Sequence, residues 1–200
     1  MALAADAPTT TDSGRARIMD EAASLFLRRG YDATSLRHIA DAVGMKAGSL
    51  YYHFGSKDEL LTAILERGLE VMHDAFDAAD EATRDAEPYV RLHAHVRAHL
   101  SALFEHGPYT AAHVVTFRTA PEPVRATVVP SRDAYEARWT ALLVELQRAG
   151  ELKTELGVNI ARLALMGAMN SSVEWFDTGR GTIDAFADAI AGQFWSGVTA

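Results

Sequence analysis

Between Ile18 and Phe54 apolar side chains recur at every third or fourth residue, and the runs break at Gly30 and again at Gly44. That period turns one face of an α-helix inward, whereas a half-buried strand would need strict alternation. The spacing predicts a first helix over 14–29, with Ile18, Ala22, Leu25 and Phe26 inward and Gly30 placed to end it. Thr34 is read as the N-cap of a second, short helix carrying Leu36, Ile39, Ala40 and Val43, which Gly44 stops. After Met45 alone a third begins, with Ala47, Leu50, Tyr51 and Phe54 as its inward stripe. Helices this short persist only when they pack on one another, so the segment is expected to form one unit with sharp corners.

The same signal continues along the chain. Ser56-Lys57-Asp58-Glu59 reads as a capping box, the serine hydroxyl accepting from the Glu59 amide while the Glu59 side chain reaches back. It opens a long helix with Leu61, Ile64, Leu65, Met72 and Phe76, expected to extend to about Arg84. Pro88, Pro108, Pro121, Pro123 and Pro130 suit first helical turns or the loops before them. They divide the remainder into helices over 89–105, 109–118, 122–129, 131–149, 158–177 and 182–198. No stretch alternates as a strand. The fold class is all-α, with a small N-terminal domain over 12–58 and a larger helical domain over 59–200.

With 48% hydrophobic residues the chain can build a sizeable core. Its longest uninterrupted apolar run, 163–169, is far short of a bilayer span, so no membrane role is expected. Residues 1–12 have no basic start followed by an apolar run and are expected to be a tail rather than a secretory leader. The absence of cysteine leaves no disulfide framework and no thiolate site, and a cytoplasmic location is expected.

The net charge of −8 argues at first against a nucleic-acid partner. Its distribution reverses that reading. Between Ser13 and Lys57 seven cations (Arg15, Arg17, Arg28, Arg29, Arg37, Lys46 and Lys57) outnumber four anions, and the acidity belongs to the remainder. A basic head on an acidic body presents one face to DNA and repels it elsewhere. Two short helices joined by a tight glycine turn and braced by a longer one are what a major-groove reader needs: the second enters the groove and the others hold its angle. Outside its apolar stripe that helix carries Lys46, Gly48, Ser49, Tyr52 and His53. Lysine offers charge to phosphate or a guanine edge, glycine lets backbone approach, and serine bonds either base or phosphate. Tyrosine and histidine reach the DNA backbone or a thymine methyl. Lys57 sits in the first turn of the next helix, where free amides already favour a phosphate oxygen.

The segment from Thr34 to Leu61, TSLRHIADAVGMKAGSLYYHFGSKDELL, resembles the DNA-binding domain of the TetR family of bacterial one-component regulators. The family's order of Thr, Ile-Ala, Val-Gly, Gly-Ser-Leu-Tyr-x-His-Phe and Lys-Asp/Glu-x-Leu is met at its spacing. The preceding AASLFLRRGYDATS fits the family's first helix, with the Gly-Tyr junction at Gly30 and Tyr31. The resemblance is close over about 14–65 and architectural beyond. It implies a helix-turn-helix over 35–54 that sets Ser35, Arg37, Lys46, Gly48, Ser49, Tyr51, Tyr52, His53 and Lys57 against double-stranded operator DNA. It further implies a homodimeric repressor that leaves a palindromic operator when a small-molecule effector enters the C-terminal domain.

The rest of the chain offers fewer signals. Of its eight histidines, His95 and His99 are four apart and share a helix face, a spacing that can chelate. No neighbouring acid completes a cluster, so no metal and no cofactor are expected, and His99 is read as the more inward of the pair. A largely apolar cavity with a few convergent polar groups is how small-molecule sites are built. The resemblance places that cavity among the middle helices, which makes His99, His113, Phe117, Tyr135 and Trp139 its candidate lining. Around HVVTF and SVEWF the chain is similar to family members that sense acyl-CoA thioesters of lipid or sterol breakdown, which would set Arg118, Arg125, Arg132 or Arg138 near CoA phosphates. The last two helices are apolar over more than one side and so need a further partner. Leu163, Gly167, Asn170, Phe186, Ile190 and Phe194 are the expected dimer contacts. Ser171, Ser172 and Glu174 lack the strand-turn-helix setting of a nucleophile elbow, and no phosphate loop or HExxH occurs, so the chain is not expected to be an enzyme. An all-α enzyme and a ligand-independent architectural DNA-binding protein are the alternatives, and the second leaves a large acidic helical domain without a task.

Overall fold

The head consists of α1 (Thr10–Arg29), α2 (Leu36–Ala42) and α3 (Ala47–His53). The structure, a computed structural model, describes residues 10–153, 155 and 157–199. The stretch 1–9, most of the expected tail, lies outside them, and α1 starts four residues before its expected position. Gly30 and Gly44 hold φ of +80° and +69°, a region where a side chain is strained, so α1 and α2 stop there and the chain turns. Ile18, Ala22, Phe26, Ile39, Ala40, Leu50 and Phe54 are buried together with Leu60, Leu61 and Ile64 from the next helix. Each such large side chain contributes roughly 1.5–3 kcal/mol, which is what holds helices too short to persist alone.

Several local expectations are corrected. The N-cap of α2 is Ser35 rather than Thr34: Ser35 Oγ accepts the His38 amide at 3.2 Å, and His38 Nδ1 accepts the Ser35 amide at 3.2 Å. Thr34 is buried, and its hydroxyl donates instead to the Gly30 carbonyl at 2.9 Å, satisfying the end of α1. In α3 only Leu50 points inward, with Phe54 just beyond; Ala47 and Tyr51 face solvent. Ser56 caps α4 (Lys57–Ala82) by accepting the Glu59 amide at 3.0 Å, but the Glu59 carboxylate accepts the exposed Gly55 amide at 2.9 Å instead of that of Ser56.

The body adds α5 (Pro88–Phe104), α6 (Tyr109–Thr116), α7 (Glu122–Arg148), α8 (Val158–Ser171) and α9 (Ile183–Val198). Helix α4 packs against α5, α6 and α7; α9 covers α5, and α8 lies against α7. The division expected after residue 58 falls inside α4, which serves both head and body. At the far end Arg91 of α5 bonds Asp80 of α4 at 3.3 Å and Glu145 of α7 at 2.9 Å.

Two expected helices, 122–129 and 131–149, are one. Pro130 lies inside α7, where it removes one amide donor. Both Pro130 and Ala126 are exposed, so the freed carbonyl faces water, while Val124 and Val128 before it and Tyr135 and Trp139 after it share one buried stripe. In contrast, α8 ends at Ser171, six residues before its expected end. The Ser172 hydroxyl donates to the Met169 carbonyl at 2.5 Å, and the helix tightens into a 3-10 turn over Ser172–Glu174.

Gly68 of α4 is where α6 comes closest. A Cβ there would lie 2.7 Å from the Tyr109 carbonyl oxygen, and Thr110 Oγ1 donates to the Gly68 carbonyl at 3.2 Å. In an open helix Gly→Ala stabilises by up to about 1 kcal/mol. Gly68→Ala is expected to lose roughly 1–3 kcal/mol instead, because backbone cannot yield as a side chain does. Urea unfolding of this variant beside wild type measures the sign.

Candidate nucleic-acid interface and body cavity

The outer face of α3 carries no intramolecular duty. Lys46, Ala47, Gly48, Ser49, Tyr51 and Tyr52 are exposed, Tyr51 at 56% and Tyr52 at 83%, and a Cβ on Gly48 would meet nothing within 4 Å. Ser35 and Arg37 are exposed on the same head. His53 is half-buried, its ring edge-on to Tyr52 and 3.3 Å from where a Cβ on Gly14 would stand.

Arg28 pairs with Glu21 at 3.5 Å, and three more of the head's cations are engaged on its carbonyls. Arg15 donates to the His53 carbonyl at 2.9 Å and lies over the Phe54 ring, and Arg17 donates to the Val43 carbonyl at 3.1 Å. Each guanidinium thus sits on carbonyls at a helix C-terminus, where the helix dipole favours positive charge. Lys57 Nζ donates to the carbonyls of Tyr31 and Thr34 at 3.0 and 3.1 Å and sits 3.8 Å from the centre of the Tyr31 ring. The Tyr31 hydroxyl donates to Asp58, and burial together with that carboxylate raises the phenol's pKa. Lys57 therefore clamps the α1–α2 corner to α4, a role the sequence did not signal. Arg29, Arg37 and Lys46 have no partner among the described residues.

A cavity of about 250 Å³ opens between α4, α5, α6, α7 and α8. His99, His113 and Tyr135 line it with Asn170, and Leu69, Met72, Val114 and Met166 give it apolar walls. Phe117 is not in the lining: it stacks on His113 at 5.5 Å with Arg132 over its ring at 4.4 Å. Trp139 is also not in the lining and is wholly buried against Phe76, His95 and His99. Asn170, expected at a dimer contact, turns inward with Oδ1 2.9 Å from His99 Nε2. Its position one turn after the inward Met166 was the available signal. Arg118 and Arg132 stand at the cavity edge with Glu136 and Glu174.

His99 bonds on both sides. Nε2 donates to Asn170, and Nδ1 accepts from the Tyr135 hydroxyl at 2.8 Å. His113 Nδ1 donates to the Leu65 carbonyl at 3.1 Å. Burial pushes both imidazoles down to about 4, so both are neutral at physiological pH. His95 is as buried as His99, contrary to the expectation that His99 is the more inward of the pair; Nδ1 bonds the Arg91 carbonyl at 2.7 Å, and burial lowers its pKa too.

Residues 18–64 match the family of bacterial regulatory proteins, tetR family, and residues 85–198 match the tetracyclin repressor-like C-terminal domain. The chain belongs to the TetR family. It is 29% identical over 185 residues to the HTH-type transcriptional repressor KstR2 of Mycolicibacterium smegmatis, covering 88% of this chain and 86% of that one. The structure of the ketosteroid transcriptional regulator KstR2 of Mycobacterium tuberculosis superposes with a TM-score of 0.81 at 26% identity, covering 94% of this chain and 96% of that one. The TetR family transcriptional regulator PfmR from Thermus thermophilus gives 0.78 at 29% identity, with 90% and 97% covered. This TetR-family protein is accordingly a DNA-binding transcriptional regulator and not an enzyme. No helix among the described residues is long and apolar enough to cross a membrane.

The three buried histidines set a pH dependence. Unfolded, each takes a proton near its ordinary value of 6.5; folded, each resists it. The stability they contribute is therefore complete above about pH 6.5 and is lost as pH falls towards 4. Unfolding free energies measured between pH 7.5 and 4.5 are expected to fall, and His113→Gln is expected to remove about one proton from the slope.

Proposed function

We propose that this regulator is a homodimeric repressor that acts in the cytoplasm, reads a palindromic operator with α3, and releases it when a small apolar-bodied effector fills the body cavity. The observation that carries the DNA part is the outer face of α3: Lys46, Gly48, Ser49 and Tyr52 are exposed, while both ends of the helix-turn-helix are fixed by Arg15, Arg17 and Lys57. Ser35, Arg37, Tyr51 and His53 flank that face. Lys57 contributes as a clamp first, so its loss is read as head stability as well as phosphate affinity.

The dimer rests on α8. Ile160 is 71% and Leu163 54% exposed, with Ala164, Gly167 and Ala168 continuing the same open face. On α9 the exposed positions are small or polar, including Ala185, Ala189, Ser196 and Gly197, which would let a partner helix approach. Phe186, Ile190 and Phe194 pack against the chain's own core, so Leu163 and Gly167 carry the interface. Packing α8 and α9 on their symmetry mates gives a four-helix bundle with a self-complementary surface. Two heads about one DNA turn apart then read both half-sites.

For the effector, the cavity admits the apolar end of a molecule, and an acyl-CoA would leave its nucleotide outside, near Arg118 and Arg132. AibR, solved with isovaleryl coenzyme A and operator DNA, shares the fold at a TM-score of 0.80 and 24% identity.

Gly48→Ala separates folding from recognition. Nothing surrounds Gly48 in the protein, so stability is expected to hold or rise by up to about 1 kcal/mol. Operator affinity is expected to fall about tenfold or more, the size of one lost close contact. Gel-shift titration beside thermal melting measures both, and unchanged affinity would remove α3 from the groove. Leu163→Arg is expected to give monomers in sedimentation and to weaken full-palindrome binding by about a hundredfold; a variant that remains dimeric overturns the interface.

A further inference from the structure

The cavity's polar atoms specify the kind of molecule that fits it, an inference resting on the reading of this cavity as the effector site. Asn170 uses Oδ1 to accept from His99 Nε2, so its Nδ2 amide, with no partner among the described residues, is a donor offered to the cavity. His113 uses Nδ1 to donate to the Leu65 carbonyl, which leaves Nε2 a bare lone pair. The residue is 3% exposed and lines the cavity, and burial keeps the ring neutral. Both atoms open onto the cavity, where water can pair with them, so a ligand that displaces that water must replace both bonds or lose affinity. A hydroxyl does both, accepting from Asn170 and donating to His113.

The mouth asks for something different. Glu136 is bonded by both Arg132 at 3.1 Å and Arg162 at 2.6 Å, so its charge is already balanced. Arg118 has no side-chain partner among the described residues. Between mouth and interior the wall is Leu69, Met72, Val114 and Met166.

We infer that the effector is an amphipathic hydroxy acid: a hydroxyl held between His113 and Asn170, an apolar body against the methionines, and an anionic end at Arg118. The anion is a free carboxylate or the phosphates of the corresponding CoA thioester, and both present the same chemistry to a guanidinium.

Calorimetric titration of the full chain with decanoate, 10-hydroxydecanoate, decane-1,10-diol and 10-hydroxydecanoyl-CoA tests this. The hydroxy acid is expected to bind at least tenfold tighter than decanoate and at least fivefold tighter than the diol. Asn170→Asp keeps the acceptor for His99 and deletes the donor, and His113→Phe keeps the stack on Phe117 and deletes the lone pair; each is expected to shrink the advantage over decanoate to under threefold. Should Asn170→Asp fail to fold, as melting would show, His113→Phe carries the test. Arg118→Gln is expected to weaken the acid at least fivefold and leave the diol unchanged. A thioester that binds tighter than the acid, with the gap lost in Arg118→Gln, assigns the anion to CoA; an acid at least as tight assigns it to the carboxylate. Equal affinity for decanoate and its hydroxy form, an advantage that survives both interior variants, or no binding by any of the four overturns the inference. Release of operator is scored separately by gel shift. Binding with the expected preferences but without release leaves the ligand class standing and removes the effector role.

Discussion

The unbroken hydrogen bonding of α4 is the constraint on which the rest depends. Its 26 residues span about 39 Å. The first turns close the head's core through Leu60, Leu61 and Ile64, and the later ones form a wall of the body through Leu69, Met72 and Phe76. Because one helix belongs to both, a rotation or tilt at its middle cannot be absorbed by a linker. A second tie runs beside it, from Tyr109 of α6 to Asp20 of α1 at 2.5 Å. The head therefore takes its orientation from two places on the body rather than from one flexible joint.

Electrostatics within the head serve the same stiffness. A helix-turn-helix presents several helix ends close together, and each C-terminal end carries unpaired carbonyls. Arg15 and Arg17 meet those at His53 and Val43, and Lys57 meets the Tyr31 and Thr34 carbonyls of the α1–α2 turn. Such charge-assisted bonds are roughly twice as strong as neutral ones. The basic character of the head is thus partly internal bracing, and only Arg29, Arg37 and Lys46 of its cations have no partner among the described residues.

Most of the fold was legible because the residues that form it act locally. The apolar period, the glycines at 30 and 44 and the serine before α4 each express a preference that needs no distant partner. What was not legible depends on contacts between segments far apart in sequence. Pro130 reads as a break, and only the buried stripe shared by Val128 and Tyr135 across it makes one helix of two. Lys57 reads as a phosphate ligand alone, and its clamp on Thr34 and Tyr31 shows only when the fold brings them beneath it from 23 and 26 residues away. Asn170 shares the apolar spacing of α8, and its inward turn is decided by His99, 71 residues earlier. The cavity was half legible for the same reason: histidine and tyrosine on apolar stripes mark it, but which stripes converge is tertiary information. Phe117 and Trp139 are aromatic on the same stripes and pack around the site instead of in it.

The way α6 is seated decides what a ligand can move. At Gly68 the backbones of α4 and α6 are in direct contact, with no side chain between them to compress, and two residues of the same short helix, Thr110 and His113, bond α4 carbonyls. A molecule that wedges against His113 must then either leave α6 in place or shift it as a body, carrying Tyr109 with it. Tyr109 holds Asp20 at the surface, where water can replace the bond at small net loss. A ligand biases the two arrangements only by the difference in its affinity for them. A hundredfold change in operator occupancy needs about 2.7 kcal/mol of that difference. The buried His113–Leu65 bond can supply about 1–1.5 kcal/mol of it and the water-replaceable Tyr109–Asp20 bond little, so the remainder must come from the ligand's own contacts. If the cavity takes the effector, the response of the head would follow from where α6 is rigid and where it is replaceable.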